Sequence, residues 1–159
     1  MLDAQETTKT DRPAGLERRL VLRLLTHWRG LIGEGDFPSF ADIDPAAIPD
    51  MWPFCFVLDT IEHPDNPIVR IAQPGIAPQA PKVIGKHVSQ LARATLLSQA
   101  CSYIEEVVRK GVPISRGGDF IRADGMRILY RSILLPMSDD GVTICGLLGA
   151  ANFRAVTEP

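Results

Sequence analysis

The stretch MRILYRSILLPMSDDGVTICGLLGAANFRAV, residues 126–156, predicts two long β-strands joined by a tight turn. Aliphatic and β-branched residues dominate both halves, and the turn-forming run Ser138–Gly141 separates them. Residues 113–123 predict a further strand, which the hairpin signal Asp124-Gly125 joins to the first of the two. The last third of the chain is therefore predicted to form three consecutive antiparallel strands.

Two further strands are predicted in the first half, at residues 54–61 and 68–72, with a Pro- and Asn-containing turn between them. The middle of the chain reads as helical: a short helix near 88–91 and a longer one from about 93 to 110. The order is then two strands, helices and three strands. This order predicts an α+β domain built on a five-stranded antiparallel sheet with helices on one face.

An amphipathic helix is predicted before the sheet, within residues 14–35. Leu16, Leu20, Leu24 and Trp28 recur every four residues, and arginines occupy much of the remaining surface. We expect this face to pack on the sheet of its own domain, on the same helix of a second subunit, or on both. A basic amphipathic helix could also lie on a membrane, but the acidic tail before it disfavours that alternative.

Composition and charge exclude several classes of protein. The net charge of −2 is unlike that of a nucleic-acid-binding domain, which normally carries a basic surplus. The N-terminus has no apolar export segment, and no apolar run approaches the roughly 20 residues that span a bilayer. We therefore expect a cytoplasmic protein with residues 1–13 as a disordered tail and residues 36–156 as one domain.

The sequence offers little for catalysis or for metal binding. His27, His63 and His87 lie in different predicted elements without metal-ligand spacing, so no metal is expected. The three cysteines are far apart in apolar runs, which favours reduced thiols in the core. Neither a nucleophile elbow nor a phosphate-binding loop is present. We therefore expect a binding protein and not an enzyme.

Three groups of residues occur in a characteristic order along the chain. They are Trp28-Arg29 with Asp42–Pro49 and Trp52-Pro53; Val69–Ala72; and Leu134–Gly141 with Leu147–Ala150. Together they resemble the PAS domain family, and most closely a bacterial single-domain PAS subfamily, over roughly Trp28 to Val156. The resemblance implies a PAS-like α+β fold and a stand-alone sensory, signalling or adaptor role. It also implies a homodimer formed through the leading helix, and a separate protein partner that receives the signal.

The resemblance also bears on cofactors and on the ligand pocket. Flavin-binding relatives carry a reactive cysteine in a polar motif that the surroundings of Cys101 do not match, and haem-binding relatives carry a histidine on the long helix, which residues 93–110 lack. No cofactor is therefore expected, although an unknown small ligand remains open. The prolines at 74, 78 and 81 depart from the family pattern. Because they should disrupt the helices that cover PAS ligands, this departure argues against a conventional pocket there.

Four polar residues in apolar surroundings are the ligand-contact candidates: Arg70, Tyr103, Tyr130 and Arg131. An arginine inside a pocket could bind a carboxylate or phosphate, although strand alternation favours a solvent-facing position for both arginines. The main functional alternative is a small α+β cone enzyme with an interior acid or base, namely Asp59, Asp119 or Tyr130. A membrane-surface scaffold is a third alternative.

Overall fold

The computed structural model describes residues 15–78 and 80–156, of which the side chains of residues 15–18, 80 and 81 are not described. The predicted disordered tail at 1–13 lies outside these residues. The helices are α1 (Gly15–Leu31), α2 (Ala80–Val83), α3 (Leu96–Ala100) and α4 (Ile104–Lys110), with 3-10 helices at Phe40–Asp42, Pro45–Ala47, Trp52–Phe54 and Val88–Gln90. The strands are β1 (Cys55–Asp59), β2 (Ile68–Ala72), β3 (Ile114–Ile121), β4 (Arg127–Met137) and β5 (Gly146–Val156).

The five strands form one antiparallel sheet in the order β2-β1-β5-β4-β3, which confirms the predicted α+β fold. The most extensive strand pairing in the sheet is β4–β5, whose register runs from Arg127 opposite Val156 to Met137 opposite Gly146. The last strand in the chain thus lies at the centre of the sheet, between β1 and β4. This placement explains why the stretch 126–156 carries so much of the fold.

Local turn chemistry behaves as predicted. The Asp44 carboxylate accepts a hydrogen bond from the Ala46 N–H and caps the 3-10 helix that starts at Pro45. Gly125 has φ of +87° in the β3–β4 hairpin, a conformation that glycine adopts without strain. In the β4–β5 turn, N–H bonds from Thr143 and Val142 to the Asp140 carboxylate hold the pKa of Asp140 well below its usual range.

The single helix predicted at 93–110 is wrong, because the structure has two shorter helices with a turn at residues 101–103. Thr95 caps α3 through a bond to the Ser98 N–H, and Tyr103 then leaves helical geometry at φ −124° and ψ 28°. Buried positions keep their helical spacing across the break, from Leu97 through Ala100 and Ile104 to Val107. The apolar periodicity was therefore unable to reveal the break.

Helix α1 covers one face of the sheet, which we call the α1 face. Leu20, Leu24 and Trp28 are buried there against apolar side chains of β1, β4 and β5. The indole N–H of Trp28 donates a buried hydrogen bond of 2.9 Å to the carbonyl of Pro136. Among the described residues, neither α1 nor any other helix combines the length and apolar character needed to cross a membrane.

The opposite face of the sheet, the short-helix face, is covered by α2, α3 and α4. Its core takes the alternate side chains of the same strands, including Phe56, Leu134 and Leu147, and packs them against Leu97 and Val107. Alternation along each strand thus supplies apolar side chains to both faces. The two faces differ in the length of the helices that cover them.

Candidate ligand cavity

A cavity of about 640 Å³ opens on the short-helix face, near the ends of β3, β4 and β5. One side is formed by the loop and helix residues 74–97, and the other by the strand residues Phe120, Ile128 and Phe153. Its apolar lining also includes Phe54, Pro74, Gly75, Ile76, Ala77, Pro78, Val83, Leu91, Ala92, Ala94, Leu96, Leu97 and Ala123. The arrangement suits the burial of an apolar molecule.

The Pro74–Pro78 segment, which argued against a conventional pocket, forms one wall of this cavity. The helices around it are short, as the prolines predict, but a compact turn replaces them: the N–H groups of Ile76 and Ala77 both bond the Gln73 carbonyl. The Gly75 N–H bonds the Pro53 carbonyl at 2.9 Å. A Cβ on Gly75 would lie 2.5 Å from that carbonyl oxygen, so the close approach of this wall to Pro53 requires glycine.

Four of the lining residues are polar: Lys82, Lys86, Thr95 and Arg122. Both lysines are exposed. The Thr95 hydroxyl donates to the Ala92 carbonyl at 2.6 Å and also serves as the cap of α3, so it is committed to local structure. No acidic residue occurs among the lining residues that the structure describes. The polar character of the cavity is therefore basic.

None of the four predicted ligand contacts lines this cavity. Arg70 is exposed, and its guanidinium bonds the Asp59 carboxylate at 3.1 and 3.0 Å. Tyr103 is buried, and its hydroxyl lies 2.7 Å from the Ser132 hydroxyl with the Arg116 guanidinium over its ring. Burial raises the pKa of Tyr103, so this hydroxyl stays protonated.

Tyr130 and Arg131 lie on β4 beyond the cavity. Tyr130 is half-buried and contacts the lining residue Phe120 edge to face, with 6.0 Å between ring centroids. Arg131 is half-buried beside Gly117 on the neighbouring strand. The role of these four residues in ligand binding stays a prediction.

The three residues of the enzyme alternative do not form one site. Asp59 lies at the end of β1 and pairs with Arg70, whereas Asp119 lies on β3, three strands away across the sheet. Asp119 pairs with Arg127 at 2.9 Å, and its side chain is 51% exposed, which is not an interior position. Tyr130 neighbours Asp119 on the adjoining strand but is far from Asp59.

The predicted dimer face is largely occupied within the domain. Leu20, Leu24 and Trp28 pack on the sheet of their own chain, which is one of the arrangements left open by the sequence. The side chain of Leu16 lies outside the described residues. While α1 remains docked, these three buried side chains are not available to a second subunit. Homodimer formation itself stays a prediction.

The histidines and cysteines form no reactive or metal-binding cluster within the described part of the chain. His63 and His87 do meet, with 5.2 Å between ring centroids, although they come from different loops. Burial raises the pKa of Cys101, which disfavours the reactive thiolate, and it raises that of Cys55 to about 12. Cys145 is half-buried and free.

Comparison with protein families identifies the family of this chain. A family model described as "PAS domain" matches residues 17–151, most of the sequence and nearly all of the described structure. The chain belongs to the PAS domain family. PAS domains are a sensory and signalling fold, so the family agrees with the resemblance recognised in the sequence. No curated protein matches.

Several solved structures are similar to this chain at low sequence identity. A light-oxygen-voltage domain studied with a flavin analogue has a TM-score of 0.49 and 16% identity, covering 71% of this chain and 84% of that one. The light-state LOV domain of the blue-light photoreceptor Aureochrome1 has a TM-score of 0.47 and 19% identity, covering 70% and 88%. A PAS domain from Colwellia psychrerythraea has a TM-score of 0.46 and 15% identity, covering 73% and 100%.

The cavity of this PAS domain was missed because sequence reasoning looked for polar residues in apolar strands. The actual lining is apolar, and residues such as Ile76, Leu97 and Ile128 read as ordinary core. One signal was available: small residues are dense between Gly75 and Ala94, and small side chains leave space where larger ones would fill it. That signal carries meaning only once the fold brings the segment to the strand ends.

Proposed function

We propose that this chain is a sensory PAS domain that binds a small, largely apolar molecule in the cavity and signals to a protein partner without catalysis. The cavity carries the proposal. Its volume of about 640 Å³ lies within the roughly 300–1,000 Å³ of ligand pockets, and its lining is almost wholly apolar with a few polar groups at defined positions.

The cavity wall offers a route from binding to signal. The Pro74–Pro78 segment and the four-residue helix α2 are held by isolated backbone bonds such as those from Gly75 to Pro53 and from Gln73 to Cys55. Short elements with few bonds have low local stability. A ligand that packs between this wall and Phe120 would stabilise one wall position, and the exposed outer side of the wall would report the change.

The absence of catalysis and of a bound cofactor are parts of the proposal. Asp59 and Asp119 are each held in an ion pair with an arginine, and Asp119 is exposed, which argues against either as the interior acid or base of the enzyme alternative. None of the three cysteines and none of the three histidines is among the described lining residues of the cavity. These observations support an unmodified apolar ligand over flavin or haem.

Partner contacts and location complete the proposal. The protein is cytoplasmic and homodimeric, and it passes its signal to a separate protein. Because Leu20, Leu24 and Trp28 are buried in the domain, the dimer contact uses surface outside these three side chains.

The test is the binding of a neutral fluorescent probe, N-phenyl-1-naphthylamine, to the purified chain. We expect saturable binding at one site, weakened at least tenfold in Ala94→Trp, which places an indole in the cavity. Ala47→Trp is the matched control, because Ala47 is exposed and is not a lining residue of the cavity. Equal binding by both variants would place the probe elsewhere and refute the proposal. Native mass spectrometry of the same sample reports any retained ligand and the subunit count.

A further inference from the structure

The charges around the cavity have one sign. Lys82, Lys86 and Arg122 are lining residues, whereas the described lining contains neither aspartate nor glutamate. The whole chain has more acidic than basic residues, 19 against 17. A cavity with three cations and no anion in its lining is therefore a local departure from the composition of the protein.

One of the three cations is already neutralised. The guanidinium of Arg122 bonds both carboxylate oxygens of Asp124, at 3.0 and 2.8 Å. This pairing lowers the pKa of Asp124 to about 2, so the carboxylate is ionised at neutral pH and occupies the guanidinium. Arg122 thus contributes little net charge to the cavity, and the two lysines remain.

The two lysines have no such partner. Neither ammonium group makes an ion pair or a hydrogen bond with a residue that the structure describes. Lys82 lies in the last turn of α2. The backbone of Lys86 is fixed beside β2, since its carbonyl accepts from the Val69 N–H at 2.9 Å and the preceding Gly85 N–H donates to the Val69 carbonyl at 2.7 Å. Two unpaired ammonium groups therefore adjoin one apolar cavity.

We infer that the ligand of this cavity is a free single-chain amphiphile with an anionic head group, of the long-chain carboxylate type. The inference rests on the proposed function and adds the chemical class of the ligand. The apolar lining takes the chain, and Lys82 and Lys86 take the head group at the solvent side. The head group thereby stays hydrated, which avoids the cost of burying a charge.

The apolar chain and the anionic head group contribute different amounts to the free energy of binding. Each buried methylene is worth about 0.8 kcal/mol, or roughly fourfold in affinity, until the cavity is full. An exposed ion pair is worth up to about 1 kcal/mol, or roughly fivefold. Chain length therefore sets the affinity, and the lysines set the preference for an anion over a neutral molecule of the same length.

The test is displacement of N-phenyl-1-naphthylamine by straight-chain carboxylates of 8, 10 and 12 carbons and by the 1-alcohols of equal length, below their aggregation concentrations. We expect each carboxylate to compete about fivefold better than its alcohol, with each added methylene improving both series about fourfold. In Lys82→Gln/Lys86→Gln, the gap between carboxylate and alcohol should close while the alcohol affinities stay unchanged. High salt should narrow the gap in the native chain.

The matched control is Arg19→Gln/Arg29→Gln, which removes the same charge from exposed positions on α1, across the sheet from the cavity. It should keep the full gap. Thermal unfolding of each variant verifies that the fold is intact.

Three results would overturn the inference, and each has a distinct meaning. If carboxylates and alcohols compete equally for the native chain, the ligand needs no anionic head group, but an apolar ligand and the proposed function still stand. If the gap between carboxylate and alcohol is lost in the arginine control as well as in the lysine variant, the preference for carboxylates reflects only the overall charge of the protein. Co-sedimentation with vesicles of phosphatidylglycerol, without competition by free carboxylates, makes the lysines part of a membrane contact.

Discussion

The two faces of this sheet receive similar apolar side chains, but one long helix covers the first face, and short helices that leave a cavity cover the second. On the α1 face, one 17-residue helix lies across β4 and β5, and side chains such as Leu24 and Leu148 are fully buried. On the short-helix face, helices of four, five and seven residues leave a cavity of about 640 Å³. The difference lies in the cover, since alternation along the strands treats both faces alike.

The contrast separates stability from binding within one small domain. A continuous helix presents a complete apolar stripe and can close the space above a sheet, whereas short helices interrupted by proline and glycine cannot. Unfilled space on the short-helix face forfeits packing contacts and so lowers the stability of the domain. The α1 face must therefore contribute more of the net stability. We therefore expect mutations on the α1 face to act on folding, and mutations at the cavity to act on ligand binding.

The largest effect is expected from Leu24→Ala on the α1 face. Leu24 is 0% exposed, so its truncation should lower the free energy of unfolding by about 2–5 kcal/mol through lost burial and a new void. Urea unfolding followed by circular dichroism measures the change. Leu22→Ala on the same helix is the control: Leu22 is 52% exposed and should change stability by no more than about 0.5 kcal/mol. Similar losses for both would mean that α1 is not docked as described.

A smaller loss is expected from Trp28→Phe, which removes the donor to the buried Pro136 carbonyl while retaining an aromatic ring. Loss of a partner from a buried polar group costs about 1–3 kcal/mol. Trp52→Phe serves as the comparison, because Trp52 is half-buried and its indole N–H makes no hydrogen bond with the described residues. Denaturant midpoints should therefore fall further for Trp28→Phe, and the reverse order would contradict the anchoring role of this bond.

On the short-helix face, Tyr103→Phe should cost about 1 kcal/mol. The Ser132 hydroxyl donates its only proton to the Arg116 carbonyl at 3.1 Å, so Tyr103 must be the donor in its 2.7 Å bond with Ser132. The substitution removes that bond but leaves Ser132 its other partner. Tyr130→Phe is the matched control, since the Tyr130 hydroxyl makes no hydrogen bond with the described residues. Thermal unfolding that does not distinguish the two variants would mean that the Tyr103–Ser132 bond does not stabilise the fold.

The parts of the fold that the sequence predicted are those with local causes. Runs of aliphatic and β-branched residues specify β4 and β5, Asp44 specifies a cap, and Asp124-Gly125 specifies a hairpin. The break before Ile104 escaped detection because it preserves the helical spacing of buried residues. The cavity was not predicted for a different reason. It is an unfilled space that forms where the segment from Gly75 to Ala94 packs near strand ends that are far away in the sequence. Local patterns do not encode unfilled volume.

The smallest effect, and the most direct comparison of the two faces, is expected when the same methyl-to-isobutyl change is made on each. Ala94→Leu extends into the cavity and should change the free energy of unfolding by no more than about 0.5 kcal/mol, because there is space to receive the larger side chain. Ala150→Leu, at a position 0% exposed on the α1 face, should cost about 1–3 kcal/mol through overpacking. Paired urea titrations measure the difference. Equal costs would mean that the short-helix face closes up in solution, and a closed face would remove the space that the apolar chain of the proposed ligand needs.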